Sequence, residues 1–135
     1  MRVVFIAAPY QVADKREREQ LIRRALEATV SAWNLGGAPV CPSLSVLGLG
    51  EAVSRSTAAA GGLELLRRSD SVMVVAGEDD DVRQELQEAR RLSLPVFDAA
   101  DLPGLKALLA DGGTRERDAP GLAKARTKNP EEVGR

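Results

Sequence analysis

Apolar positions in this chain follow two rhythms, one of short continuous runs and one of helical spacing. The run "RVVFIAA" from Arg2 to Ala8 is rich in β-branched and aromatic residues and stops at Pro9, which predicts a buried first strand. From Asp14 to about Asn34 the positions Leu21, Ile22, Ala25, Leu26, Thr29, Val30 and Trp33 recur at helical spacing with charges opposite, so an amphipathic helix follows. "NLGGAP" is a glycine stop, and "APVCP" reads as a short second strand closed by Pro42. "SLSVLGLG" is ambiguous between loop and short helix and suits a lid or a subunit contact. A second helical stretch, from about Glu51 to Arg68, is weakened at Gly61 and Gly62. "SVMVVAG" predicts a third strand, Asp81 to Leu92 a helix, "LPVF" a fourth strand and "DLPGLKALLA" a last short helix.

Strands alternating with helices imply right-handed crossovers and a parallel sheet covered on both faces. The predicted fold class is α/β: a small doubly wound sheet, Rossmann-like or flavodoxin-like, of four to five strands with helices on both faces. Residues 1–110 form this domain. Residues 111–135 mix charge with Gly and Pro, carry little to bury, and read as a mobile or partner-docking tail.

Composition narrows the chemistry. With 135 residues the chain supports one ordinary core, and a formal net charge of −1 gives no electrostatic footprint for a nucleic acid polymer or an anionic membrane surface. "VVFIAA" is too short to span a bilayer and lacks the flanks of a secretory signal, so a cytoplasmic protein is expected. Cys41 is the single cysteine and there is no histidine, which leaves no usual zinc constellation, no internal disulfide and no Ser-His or Cys-His pair. No metal and no cofactor is expected. An enzyme built from these residues must work with carboxylates, a tyrosine or hydroxyls.

In an open parallel sheet, ligands bind beyond the carboxyl ends of the strands, where helix N-termini also point. Those ends carry Ala7 to Tyr10, Pro42 to Leu49 with Ser43 and Ser45, Gly77 to Asp81, and Asp98. Four consecutive acids, Glu78 to Asp81, stand where the third strand meets its helix. Aspartates favour N-caps and the helix dipole favours negative charge there, each effect worth roughly 0.5 to 1 kcal/mol. Capping explains two of these acids better than four. Glu85, four residues after Asp81 and four before Ala89, falls on one helical face with both, near the mouth of the rim. There it either reaches a ligand or pairs on the surface with Arg83 or Arg91. Tyr10, the sole tyrosine, either contacts a ligand or caps the core.

The ordered set "VVFIAAPY", "GGAPVCP", "GLELLRRSDSVMVV" and "ELQEARRLSLPV", over residues 2 to 97, resembles the nucleoside 2-deoxyribosyltransferase-like family, which includes nucleoside and nucleotide N-glycosidases. The resemblance implies cleavage or transfer at the N-glycosidic bond of a nucleoside or nucleotide. It implies Glu85 as the nucleophile, in the position four residues before a helix alanine. Asp79, six residues before the glutamate, is implied to bind the sugar or act as acid. Ala8, Pro9, Tyr10, Ser43, Gly77 and Asp81 are the implied substrate contacts. Retaining glycoside hydrolysis follows the same logic, with one carboxylate meeting the anomeric carbon and a second acid serving the leaving group.

This sequence departs from the family pattern at Asp81 and Val82, where a glycine and a small or apolar residue are usual, and at Gln87, which replaces a glycine and is expected to narrow the pocket. An aspartate in that turn repels a 5′-phosphate and favours an uncharged nucleoside, a cationic ligand or no substrate at all. A non-catalytic ligand-binding or scaffold protein on the same fold is therefore the alternative. A dinucleotide-binding Rossmann protein fits less well, because "AAPYQVAD" lacks the glycine-rich phosphate loop. A homo-oligomer, a dimer or a multiple of one, is expected, with "SLSVLGLG" and the glycine-interrupted helix as apolar contact material.

Overall fold

The structure is a computed structural model, and it describes residues 1–9, 11, 12 and 14–110. The strands are β1 (Val3–Ala7), β2 (Ala38–Val40), β3 (Ser71–Val74) and β4 (Val96–Asp98), and the helices are α1 (Lys15–Asn34), α2 (Pro42–Ser45), α3 (Arg55–Arg67), α4 (Asp80–Arg91) and α5 (Leu102–Ala110). The four strands form one parallel sheet in the order β2-β1-β3-β4. Phe5 lies beside Val40 on one flank and Val72 on the other, and Val74 lies beside Asp98. This is the doubly wound α/β arrangement expected, with four strands. The expected tail, 111–135, and Tyr10 lie outside the described residues.

The pleat sorts the strand residues into two cores. Val4, Ile6, Met73 and Val75 pack with Ala25, Ala28 and Ala32 of α1 and with Leu105 and Leu109 of α5. Phe5, Ala7 and Val72 point the other way, to Leu66 of α3 and Ala89 of α4. Because alternate residues of a strand face opposite sides, both central strands need apolar residues on both faces, which Val3–Ala7 and Val72–Val74 supply, with buried Ser71 the polar residue at the start of β3.

Helix boundaries follow from their caps. Asp14 caps α1 by accepting from the Arg16 amide at 2.9 Å. The helix expected from Glu51 begins instead at Arg55, because Ser54 accepts from the Thr57 amide, and Gly50–Ala52 forms a separate 3-10 turn. "SLSVLGLG" resolves into the end of α2 and a turn. On α1 the alanines occupy the core face, whereas Leu26, Val30 and Trp33 are 51%, 56% and 58% exposed. The sequence stripe therefore runs wider than the buried face, and its outer half is an uncovered apolar ridge. Among the described residues no helix is long and apolar enough to cross a membrane.

Candidate functional site

A crevice opens beyond the carboxyl end of β1, beside the point where the strand order reverses between β1 and β3. Ile6 and Ala8 form its floor, Pro42, Ser43 and Val46 one wall, Ala58, Ala59 and Gly62 of α3 a second, and Asp81 and Glu85 of α4 a third. Of the residues singled out from the sequence, Ala8, Ser43, Asp81 and Glu85 converge here. Pro9, Gly77 and Asp79 serve the neighbouring turns instead. Gln87 is exposed on α4 and does not narrow the crevice. Asp98 faces away too, lining a separate cavity of about 330 Å³ with Val75, Ala76 and Arg24.

Two glycines matter to this geometry. Gly77 has φ +113°, and a Cβ there would stand 2.9 Å from Pro9 Cγ, so the β3–α4 turn closes on the β1 loop only with glycine. Gly62 is the glycine that faces the site: a Cβ on it would meet Glu85 Oε2 and Pro42 at 3.8 and 3.7 Å. With Ala58 and Ala59 it gives α3 a small-residue face that lets the helix lie close to the carboxylate. The run "TAAAGG" carried that signal in the sequence.

The acids divide into roles. Asp79 is the N-cap of α4: one carboxylate oxygen accepts from the Val82 amide at 2.9 Å and the other from the Gln11 amide at 3.3 Å. Asp80 and Glu78 pair with Arg83 on the surface. Arg91 pairs with Glu88, whose carboxyl falls to about 2 through the hydrogen bonds from Arg91 and Arg67. The surface pairing open to Glu85 from spacing alone is therefore not made.

Glu85 is partly buried, and none of the described residues hydrogen-bonds or ion-pairs with it. Its pKa is pushed up to about 8, first by desolvation and then by the nearby charges of Asp81 and Asp79. Asp81 is raised as well, by desolvation and by Asp79, with Arg55 and Gln11 acting in the opposite direction. Cys41, whose Sγ lies 3.3 Å from Ser43 Oγ, is buried, and desolvation holds its thiol in the neutral form. An unpaired carboxyl held near neutrality in a partly dry crevice is able to act as nucleophile once ionised or as acid while protonated. Among the described residues no group of three or more acids or cysteines is placed to hold a metal ion.

Gln11 and Arg55 were not singled out from the sequence, yet both reach the mouth of the crevice. Gln11 Nε2 donates to Asp81 Oδ2 at 2.6 Å, and the Arg55 guanidinium donates to Gln11 Oε1. Nothing local in "YQVAD" distinguishes the glutamine; only the packing of the β1 loop against α4 does.

No family model and no curated protein matches this chain. Solved structures do. The chain is similar to a 2-deoxyribosyltransferase from the psychrotolerant bacterium Bacillus psychrosaccharolyticus, described as a biocatalyst for nucleoside synthesis: 22% identity, TM-score 0.57, covering 71% of this chain and 70% of that one. It is similar to a 2-deoxyribosyltransferase from Leishmania mexicana at 16% identity and TM-score 0.50, covering 73% of this chain and 63% of that one. The chain thus shares the fold of these enzymes and spans less than two thirds of the Leishmania protein's length.

Proposed function

We propose that this protein cleaves or transfers at the N-glycosidic bond of a nucleoside, with Glu85 as nucleophile. The observation that carries the reading is the Glu85 carboxyl itself: unpaired among the described residues, partly desolvated, and set in a crevice at the strand-order reversal. The fold shared with the two 2-deoxyribosyltransferases supports it. Ionised Glu85 attacks C1′ of the sugar, the C1′–N bond breaks, and its electron pair leaves with the base, which takes a proton. Water or a second base then attacks C1′ and frees the carboxylate. Asp79, fixed as a helix cap, acts by shaping the turn and by its charge. Ser43 supplies the hydroxyl among the described residues lining the crevice. Tyr10 is proposed as a further substrate contact from its place in the sequence alone.

The reaction needs the ionised carboxylate, and with a pKa of about 8 about one molecule in ten supplies it at pH 7. Base release from a panel of nucleosides therefore rises with pH up to about 8 and levels off above it, and the Glu85→Gln protein releases no base. Base release that persists in Glu85→Gln removes the nucleophile assignment.

A second reading has its own observation. The crevice encloses only about 20 Å³, enough for one water. A ligand-binding protein on this fold without turnover predicts saturable nucleoside binding and no base release from the folded wild type. The chain is further proposed to act as a homo-oligomer in the cytoplasm, with the exposed Leu26, Val30 and Trp33 ridge as its contact.

A further inference from the structure

We propose that Gln11 latches a gate over Glu85, formed by the N-terminal half of α3, and that the charges of this gate admit uncharged nucleosides and refuse their 5′-phosphates. The proposal deepens the N-glycosidic reading and rests on it for the identity of the substrate.

Ligand pockets run to about 300 Å³ or more, whereas about 20 Å³ is open beside Glu85. Next to the crevice, and sharing Val46 and Ala58 with it, lies a bay of about 440 Å³ lined also by Leu49, Glu51, Val53 and Arg55. The two residues common to crevice and bay, Val46 and Ala58, belong to the turn after α2 and to the start of α3. A nucleoside with its anomeric carbon at Glu85 fits only when that wall moves and the two spaces merge.

Gln11 bridges the helix starts, donating to Asp81 of α4 at 2.6 Å and accepting from Arg55 of α3. Its own amide hydrogen bonds to Asp79 at 3.3 Å, which ties the latch to the α4 cap. At their far ends the two helices are joined by Arg67 and Glu88 at 2.8 Å and by the buried Leu66 and Ala89. Opening therefore takes place at the N-terminal ends, where Ala58, Ala59 and two adjacent glycines provide little side-chain packing.

Asp79, Asp81 and Glu85 crowd this mouth, and Arg55 is the one cation among the described residues lining the crevice or the bay. Its charge already offsets Asp81. A 5′-phosphate brought here meets Asp81 and Asp79, Glu85 as well once it is ionised for attack, and a guanidinium already engaged. An uncharged nucleoside replaces the Gln11 amide group for group, giving a donor to Asp81 and an acceptor to Arg55.

The test pairs an opening readout with a selectivity readout. Hydrogen exchange on wild type and Gln11→Ala should show amides of residues 56–62 exchanging at least tenfold faster in the variant, with residues 63–67 unchanged; equal exchange overturns the latch. In base-release assays wild type should prefer nucleosides over their 5′-monophosphates by at least a hundredfold in kcat/KM. Asp81→Asn, which keeps a hydrogen-bond partner for Gln11 and removes the charge, should reduce that preference at least tenfold; an unchanged preference overturns the charge selection. Absence of base release from every substrate defeats the N-glycosidic reading and with it the substrate claim, while the exchange result still decides the latch.

Discussion

Replacing Glu85 by glutamine should stabilise this protein, by an amount that grows with pH. The wild-type carboxyl keeps its proton to about pH 8 in the fold, against 4.5 for the ordinary group. Between those values the folded state binds more protons than the unfolded chain, so each step up in pH costs folding free energy, and the full cost is reached above pH 8. A displacement of that size corresponds to roughly 5 kcal/mol at its limit. Glu85 is only partly buried, and water at the mouth screens its charge, so the working figure is about 2 kcal/mol. Glutamine keeps the shape and never ionises. Urea unfolding of both proteins at pH 4, 5.5, 7 and 8.5 should show nearly equal midpoints at the lowest pH and a lead for Glu85→Gln of about 1 M by the highest, given typical urea slopes of about 1 to 3 kcal/mol/M. Midpoints that stay parallel across the series would refute desolvation and the neighbouring acids as the cause of the raised pKa. A site that holds a destabilised charge is also what the proposed chemistry requires, since the same crowding makes the ionised carboxylate reactive.

Asp79→Ala should cost about 1 to 2 kcal/mol by urea unfolding, through loss of the α4 cap and of the acceptor for the Gln11 amide, whereas Asp79→Asn should cost little; equal losses would show that capping is not its role. Gly77→Ala should cost about 1 to 3 kcal/mol, because it combines a positive φ with a Cβ 2.9 Å from Pro9, while Gly61→Ala, in open space inside α3, should be neutral or stabilising. Light scattering at micromolar concentration should find an oligomer for the wild type and a smaller species for Leu26→Ser/Trp33→Ser; a monomeric wild type would remove the ridge as a subunit contact.

The fold was legible in the sequence because its signals are local and redundant. Two strand runs, apolar over residues 3–8 and 72–76, a helical repeat between them, and the glycine and proline stops leave few arrangements other than a parallel doubly wound sheet. Helix starts were less legible where several acceptable caps compete, which is why α3 begins at Arg55, capped by Ser54, rather than near Glu51. Glu85 was also visible, as a carboxylate one helical face above a buried alanine.

What the chain alone could not give is which polar groups share an environment. Four adjacent acids look equivalent on paper, yet Asp79 caps the helix, Glu78 and Asp80 pair with Arg83, and Asp81 turns toward Gln11. The difference lies in the roughly 100° turn of α4 from one residue to the next and in which neighbour has closed over each one. The raised pKa of Glu85 likewise comes from desolvation and from charges assembled by the fold. The alliance of Gln11, Asp81 and Arg55 joins residues 44 and 70 positions apart. Local propensity fixes the period and the punctuation of a chain, whereas burial and electrostatic coupling depend on distances that exist only once the sheet has brought its strand ends to one rim.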